Sequence, residues 1–221
     1  MGSSFFIIYL IKKRKTSDNS FNIIIENKRI IQFLILVTIA VIFGVLAPLH
    51  SLIPMTESFK KALMEFISHK GIFTFLLLVI GAPILEELIF RGIILNGFLK
   101  KYPPTKSILI SSFLFGLLHL NPWQFLSGLI IGIFSGRIYY RTKSLSPSII
   151  IHVSANLTGF LLLYFTDTAS SMDDTLLEMY GGLTNLIAVI VSSILILAVC
   201  IYFLKKEFAR KKVEMKMQIN L

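Results

Sequence analysis

Six apolar runs decide what this chain can become, because most of them have the length of about 20 residues that a helix needs to cross roughly 30 Å of hydrocarbon. They are Ile30 to Pro48, Gly71 to Leu99, Ser107 to Leu120, Trp123 to Tyr140, Pro147 to Phe165 and Leu183 to Leu204. The third is short and is closed by Asn121-Pro122, a pair that ends a helix well. The fourth opens on Trp123 and closes on Tyr139-Tyr140, aromatic residues favoured where a helix meets the membrane surface. Composition agrees: 55% of the 221 residues are hydrophobic and 15% charged, whereas soluble chains carry about a quarter charged residues. The chain is therefore read as all-α, a polytopic membrane helical bundle of about six transmembrane helices. The count rises to about seven or eight if Pro83 breaks the second run and the apolar stretch Ser3 to Ile11 lies on the surface as an interfacial helix.

So apolar a chain nevertheless carries a net charge of +10. Nucleic-acid binding would need a solvated basic face, and here the basic residues fall in short clusters between the apolar runs, so that class is set aside. With both termini on the cytoplasmic side, 18 of the 22 Lys and Arg residues lie inside. The inside then nets +14, the outside −3 and the membrane −1, the asymmetry expected of a multi-pass protein of the cell membrane. Three parts follow: a cytoplasmic segment 1–29, a membrane domain 30–204 whose motif-bearing core is 71–165, and a basic tail 205–221 suited to anionic lipid headgroups. The polar stretch Thr166 to Gly182 reads as an external loop with a turn of helix. Ser3 to Ile11 is followed rather than preceded by Lys12 to Lys15, which does not suit a cleavable signal. The single Cys200, within the last apolar run, excludes a disulfide framework or a Cys-rich metal site.

Ionisable residues at membrane depth are costly and mark functional sites by default. Glu86, Glu87, Arg91, His119 and His152 stand out, with Asn156 beside the last. At about 1.5 Å per residue, Glu86, His119 and Asn156 each lie about 20 Å from the nearest cytoplasmic lysine, and His152 about 6 Å shallower. Three helices thus bring polar groups to a similar depth. Glu87 and Arg91 are at i and i+4 and can neutralise each other, leaving Glu86 rotated by about 100° to point elsewhere. His152 and Asn156 have the same spacing and face one cavity. A carboxylate opposite imidazoles in a low-dielectric site can act as a general base on water, while imidazole and amide donors can hold a developing oxyanion.

These residues form three motifs in order, each on its own apolar segment: Glu86-Glu87-Leu-Ile-Phe-Arg91 as EExxxR, Phe115 to His119 as FxxxH, and His152 to Asn156 as HxxxN. The pattern resembles the CAAX-protease and bacteriocin-processing family, also called Abi or CPBP intramembrane proteases, over roughly Gly71 to Phe165. The resemblance implies an integral membrane endopeptidase in which Glu86 activates water with help from His119. It further implies that His152 and Asn156 hold the scissile carbonyl, that Glu87 and Arg91 orient the helix, and that Phe115 packs the site. No metal is favoured. Zinc held by Glu86, His119 and His152 is the alternative, weakened by the lack of an HExxH pair. The implied partners are a hydrophobic or lipidated peptide or protein substrate and membrane lipids, with the oligomeric state open.

Other intramembrane proteases do not fit. Ser127 and Ser135 have Phe125 and Ile133 where a rhomboid-type GxSG needs glycine, and the membrane segments hold no Asp for an aspartyl site. Two rival functions remain at this point, a non-catalytic immunity or regulatory membrane protein and a small transporter using Glu86 and the histidines as a proton relay. The transporter would be expected to show inverted-repeat symmetry, which is not evident. Gly128, Gly132 and Gly136 form a small-residue stripe that suits close helix packing rather than catalysis.

Overall fold

Backbone amides and carbonyls left unpaired in lipid each cost several kcal/mol, so a chain this apolar must pair them within its own helices. The computed structural model describes residues 21–25, 27–68, 71–165 and 174–219, and among them there are helices and no strand. The helices are α1 (Ile30–His50), α2 (Glu57–Ser68), α3 (Ile72–Leu99), α4 (Pro104–Leu117), α5 (Pro122–Thr142), α6 (Leu145–Phe165), α7 (Leu176–Met179) and α8 (Leu183–Ile219). Among the described residues, four stretches are long and apolar enough to cross a membrane: α1, α3, α6 and residues Leu183–Arg210 of α8. α5 matches α6 in length at 21 residues but carries Arg137 and Arg141. α4 is apolar but has only 14 residues, about 21 Å of helix. The stretch Ser3 to Ile11 lies outside the described residues.

Three sequence expectations change. Pro83 does not split the second run: α3 continues through it, because the stretch Leu76–Gly81 just before it is π-helical. A proline removes one N–H and crowds the carbonyl four residues back, here Val79, and the wider π turn already gives up the tight i to i−4 pairing at that place. The third run ends as a helix at Leu117 rather than Leu120, since Leu120 adopts a left-handed φ of 55° and Asn121 caps the next helix by accepting from Gln124 N. The last helix does not stop at Leu204 but runs on to Ile219. The polar loop does contain its turn of helix, α7, started by a capping box in which Thr175 and Glu178 bond each other's backbone N–H.

The described residues divide into two compact units. In one, α1 packs along α8: Phe33 stacks on Phe203 at 5.3 Å, Asn27 Nδ2 donates to Glu207 Oε2 at 2.9 Å, and Tyr180 Oη donates to the Phe43 carbonyl. The other contains residues 21–25 and α2 to α6, and it holds every motif residue. Its closest approach is α4 against α5, along the glycine stripe. An added Cβ at Gly128 would lie 2.9 Å from Gly116 Cα, and one at Gly132 would lie 3.1 Å from Ser112 Cβ. Hydroxyls fasten the remaining contacts: Ser111 Oγ donates to the Phe90 carbonyl of α3, and Ser148 Oγ of α6 to the Ser135 carbonyl of α5, both at 3.1 Å. At one end Leu95, Ile108, Tyr139 and Leu145 form a buried cluster. There Asn22 pins the α5–α6 turn, accepting from Leu145 N at 2.8 Å and donating to the Lys143 carbonyl at 3.1 Å.

The α4–α5 approach is open to test. A Cβ at Gly116 would lie 2.6 Å from the Phe125 carbonyl oxygen, a backbone atom that cannot turn aside. Gly116→Val is therefore expected to lower stability by about 1–3 kcal/mol, read as a fall in Tm in detergent. Gly159→Ala, where nothing lies within 4 Å, should leave Tm unchanged or slightly raised.

Candidate active site

The site grows from a short α-helical stretch of α3, Ala82–Glu87, set between the π-helical stretches Leu76–Gly81 and Leu88–Leu95. Glu87 is fully buried, and its Oε2 lies 3.0 Å from Arg91 Nε, so the expected pair forms. The contact is ionic, without the alignment of a hydrogen bond. Arg91, itself 1% exposed, reaches across to α5, where Nη2 donates to the Gly132 carbonyl at 3.2 Å and to Ser135 Oγ. Nη1 has no hydrogen-bond partner among the described residues; the guanidinium instead lies 4.7 Å from the centre of the Phe115 ring, over its face.

α6 brings His152 to the other side of the two glutamates. His152 Nδ1 is 3.1 Å from Glu87 Oε1, and its Nε2 is 3.7 Å from Glu86 Oε2. One imidazole therefore lies between adjacent carboxylates. α4 supplies His119, whose Nδ1 is 3.0 Å from the Phe115 carbonyl. That carbonyl stands in the last turn of α4, while His119 N bonds Gly116 O instead, so the FxxxH spacing places the imidazole as a cap on a free carbonyl. A carbonyl only accepts, so Nδ1 carries the proton and the His119 Nε2 keeps its lone pair. His119 is half-buried and close enough to act electrostatically on Glu86. Phe115 is the common wall: its ring meets both histidines edge-on at 5.3 Å and Phe90 at 5.0 Å.

The structure thus brings together Glu86, Glu87, Arg91, Phe115, His119 and His152. Asn156 is different. Depth counting puts it level with Glu86, yet it is His152 that meets Glu86, while Asn156 Nδ2 donates to the Leu78 carbonyl at 2.8 Å, two turns further along α3. The π-helical stretch Leu88–Leu95 explains the offset. A π turn takes more residues and so advances less per residue, which brings Glu86 nearer the Leu99 end than a uniform α-helical rise predicts. The sequence reading missed three contributors: Ser135, the Gly132 carbonyl and the Leu78 carbonyl. The hydroxyl had a signal, since Ser135 adjoins the small-residue stripe opposite a buried Arg. The two carbonyls had none, because a backbone acceptor has no residue identity.

Glu86, His119 and His152 are of the right chemistry for zinc. Among the described residues, however, no three His, Cys, Asp or Glu side chains come together as a group that could hold a metal ion.

Residues 68–158 match the family described as type II CAAX prenyl endopeptidase Rce1-like. Over that stretch the chain is Rce1-like. All three motifs, and every contact described above among α3, α4, α5 and α6, fall within the Rce1-like stretch. The chain is also similar to the UPF0177 protein YbdI of Lactococcus lactis subsp. lactis (strain IL1403), 35% identical over 86 residues, which is 38% of this chain and 46% of that protein. The match thus spans about half the length of that curated relative. No solved structure matches.

The buried pair sets a stability prediction. Arg91→Met leaves the buried Glu87 charged without its guanidinium counter-charge, and is expected to cost about 3–5 kcal/mol in unfolding measured in detergent. The double variant Glu87→Gln/Arg91→Met removes both charges and should lose much less, since neutral replacement of a buried pair is often tolerated.

Proposed function

We propose that this membrane-embedded protein is an endopeptidase that hydrolyses a peptide bond of a hydrophobic or lipidated substrate, with water activated by Glu86. The observation that carries this reading is the approach of Glu86 to His152 Nε2 at 3.7 Å, from two separate helices, in a buried part of an Rce1-like segment. That gap is too long for a direct hydrogen bond, and in this reading the attacking water contacts both groups from one side. The name of the matched family, a type II CAAX prenyl endopeptidase, points to the same reaction class and to a lipidated substrate.

In this reading Glu86 takes a proton from the water, assisted by His119, and the water oxygen attacks the scissile carbonyl carbon. The carbonyl oxygen becomes an oxyanion. His152, donating through Nε2 when its ring is protonated, and the second N–H of the Asn156 amide stabilise it, the first N–H being held by Leu78. Collapse of the tetrahedral intermediate breaks the C–N bond, and Glu86 returns its proton to the leaving amine nitrogen. Each step uses side chains of this chain and one water. The Lys and Arg asymmetry supports a multi-pass arrangement with both termini cytoplasmic.

The test is cleavage of a library of prenylated and hydrophobic peptides by the purified full-length protein in nanodiscs. Glu86→Gln is expected to lower kcat by about 100- to 10,000-fold, and His119→Ala to lower it less. A chelator should leave the wild-type rate unchanged. If the wild type cuts nothing, or Glu86→Gln cuts equally well, the endopeptidase reading is lost and a non-catalytic membrane partner takes its place. Chelator-sensitive cutting would move the water from the carboxylate alone to a metal.

A further inference from the structure

Helical spacing makes Glu87 one half of an ion pair with Arg91, but its two oxygens do different things here. Oε2 faces Arg91 Nε at 3.0 Å, and Oε1 faces His152 Nδ1 at 3.1 Å. A carboxylate paired with a guanidinium is charged and can only accept, so Nδ1 of His152 must be the donor. The imidazole then meets Glu86 through Nε2, and Nε2 is the ring position left free to take or give a proton.

We infer, resting on the reading of Glu86 and His152 as the water-binding pair, that Glu87 is a positioning residue which fixes the proton of His152 on Nδ1 so that Nε2 serves the reaction. Arg91 completes the device. Held on α5 by Ser135 and the Gly132 carbonyl, it fixes the rotation of the Glu87 carboxylate, and the carboxylate fixes the ring. The chain of contacts runs from α5 through α3 to α6, which makes Ser135 a remote member of the same assembly. A purely structural role for Glu87 would be to neutralise Arg91 and nothing more, and the two roles make different predictions.

The experiment is 15N NMR of full-length protein labelled at histidine, in nanodiscs, with His152→Gln used to assign the signal, at a pH where the ring is neutral. In the wild type Nδ1 is expected to carry the proton. In Glu87→Gln the amide oxygen turns to Arg91 and the amide N–H to the ring, so the proton should move to Nε2. With the peptide assay, kcat should fall by more than about tenfold with KM within about twofold, because the neutral amide no longer offsets the charge of the protonated ring that donates through Nε2 to the oxyanion. Glu87→Gln leaves Arg91 without its counter-charge, so Glu87→Gln/Arg91→Met serves as the folded control; it should show the Nδ1 proton no longer fixed and kcat still low. If the double variant recovers wild-type kcat, or if Nδ1 keeps its proton in both variants, Glu87 only neutralises Arg91 and the inference is overturned. The tautomer is read without substrate, so wild-type protein that cuts nothing would sink the endopeptidase reading while leaving this result to stand or fall alone.

Discussion

A buried charge in a membrane helix must find a partner, and the partnership of Arg91 with Glu87 organises the motif-bearing unit. Arg91 and Glu87 are both almost completely excluded from solvent. Neither would be tolerated at that depth alone, since an isolated ion in a low-dielectric medium is far more costly than any single contact in this structure. Once they neutralise each other, the remaining valences of each are directed outward: those of Arg91 to α5 and the face of Phe115, that of Glu87 to His152 on α6. One i,i+4 pair thus cross-links three helices whose lipid-facing sides are otherwise interchangeable apolar surface. In lipid, packing between helices gains little from hydrophobicity, and polar contacts of this kind decide which helix stands beside which.

The departures from regular helix serve the same end. α3 widens into π turns on both sides of Ala82–Glu87, and widened turns free carbonyls that lipid cannot satisfy. Asn156 takes up one of them, Leu78, so the α6 residue that lies one turn beyond His152 also steadies the helix that carries the glutamates. On α4 the same economy appears at His119, whose ring closes the carbonyl of Phe115 and is thereby oriented. Polar side chains in this unit repeatedly satisfy backbone groups and are themselves oriented by doing so.

Much of this was legible in the sequence. The membrane class followed from the apolar runs, and the residues that the fold groups into the candidate site stood out by the rarity of ionisable groups within them, because the penalty for burying charge is large and independent of fold detail. The Glu87–Arg91 pair and the packing role of the glycine stripe followed from helical spacing alone. What could not be read were quantities that depend on the exact course of a backbone. The π turns of α3 shift the level of Glu86, so that His152 rather than Asn156 meets it. Pro83 is absorbed by a neighbouring wide turn, and α8 continues past the point where its apolar character ends, since a charged sequence can extend an existing helix. The second contact of Glu87, to His152, is invisible to a rule that pairs residues within one helix.

The shortness of α4 has a consequence for where water can be. Its 14 residues reach about 21 Å, roughly 9 Å less than the hydrocarbon layer. A stretch this much shorter than its surroundings forces the bilayer to thin beside it or ends within the layer. His119 and the capping Asn121 stand just past that end. Under the proposed function, a helix this short would bring the hydrated boundary of the membrane toward the turn that carries His119, beside the water that Glu86 activates.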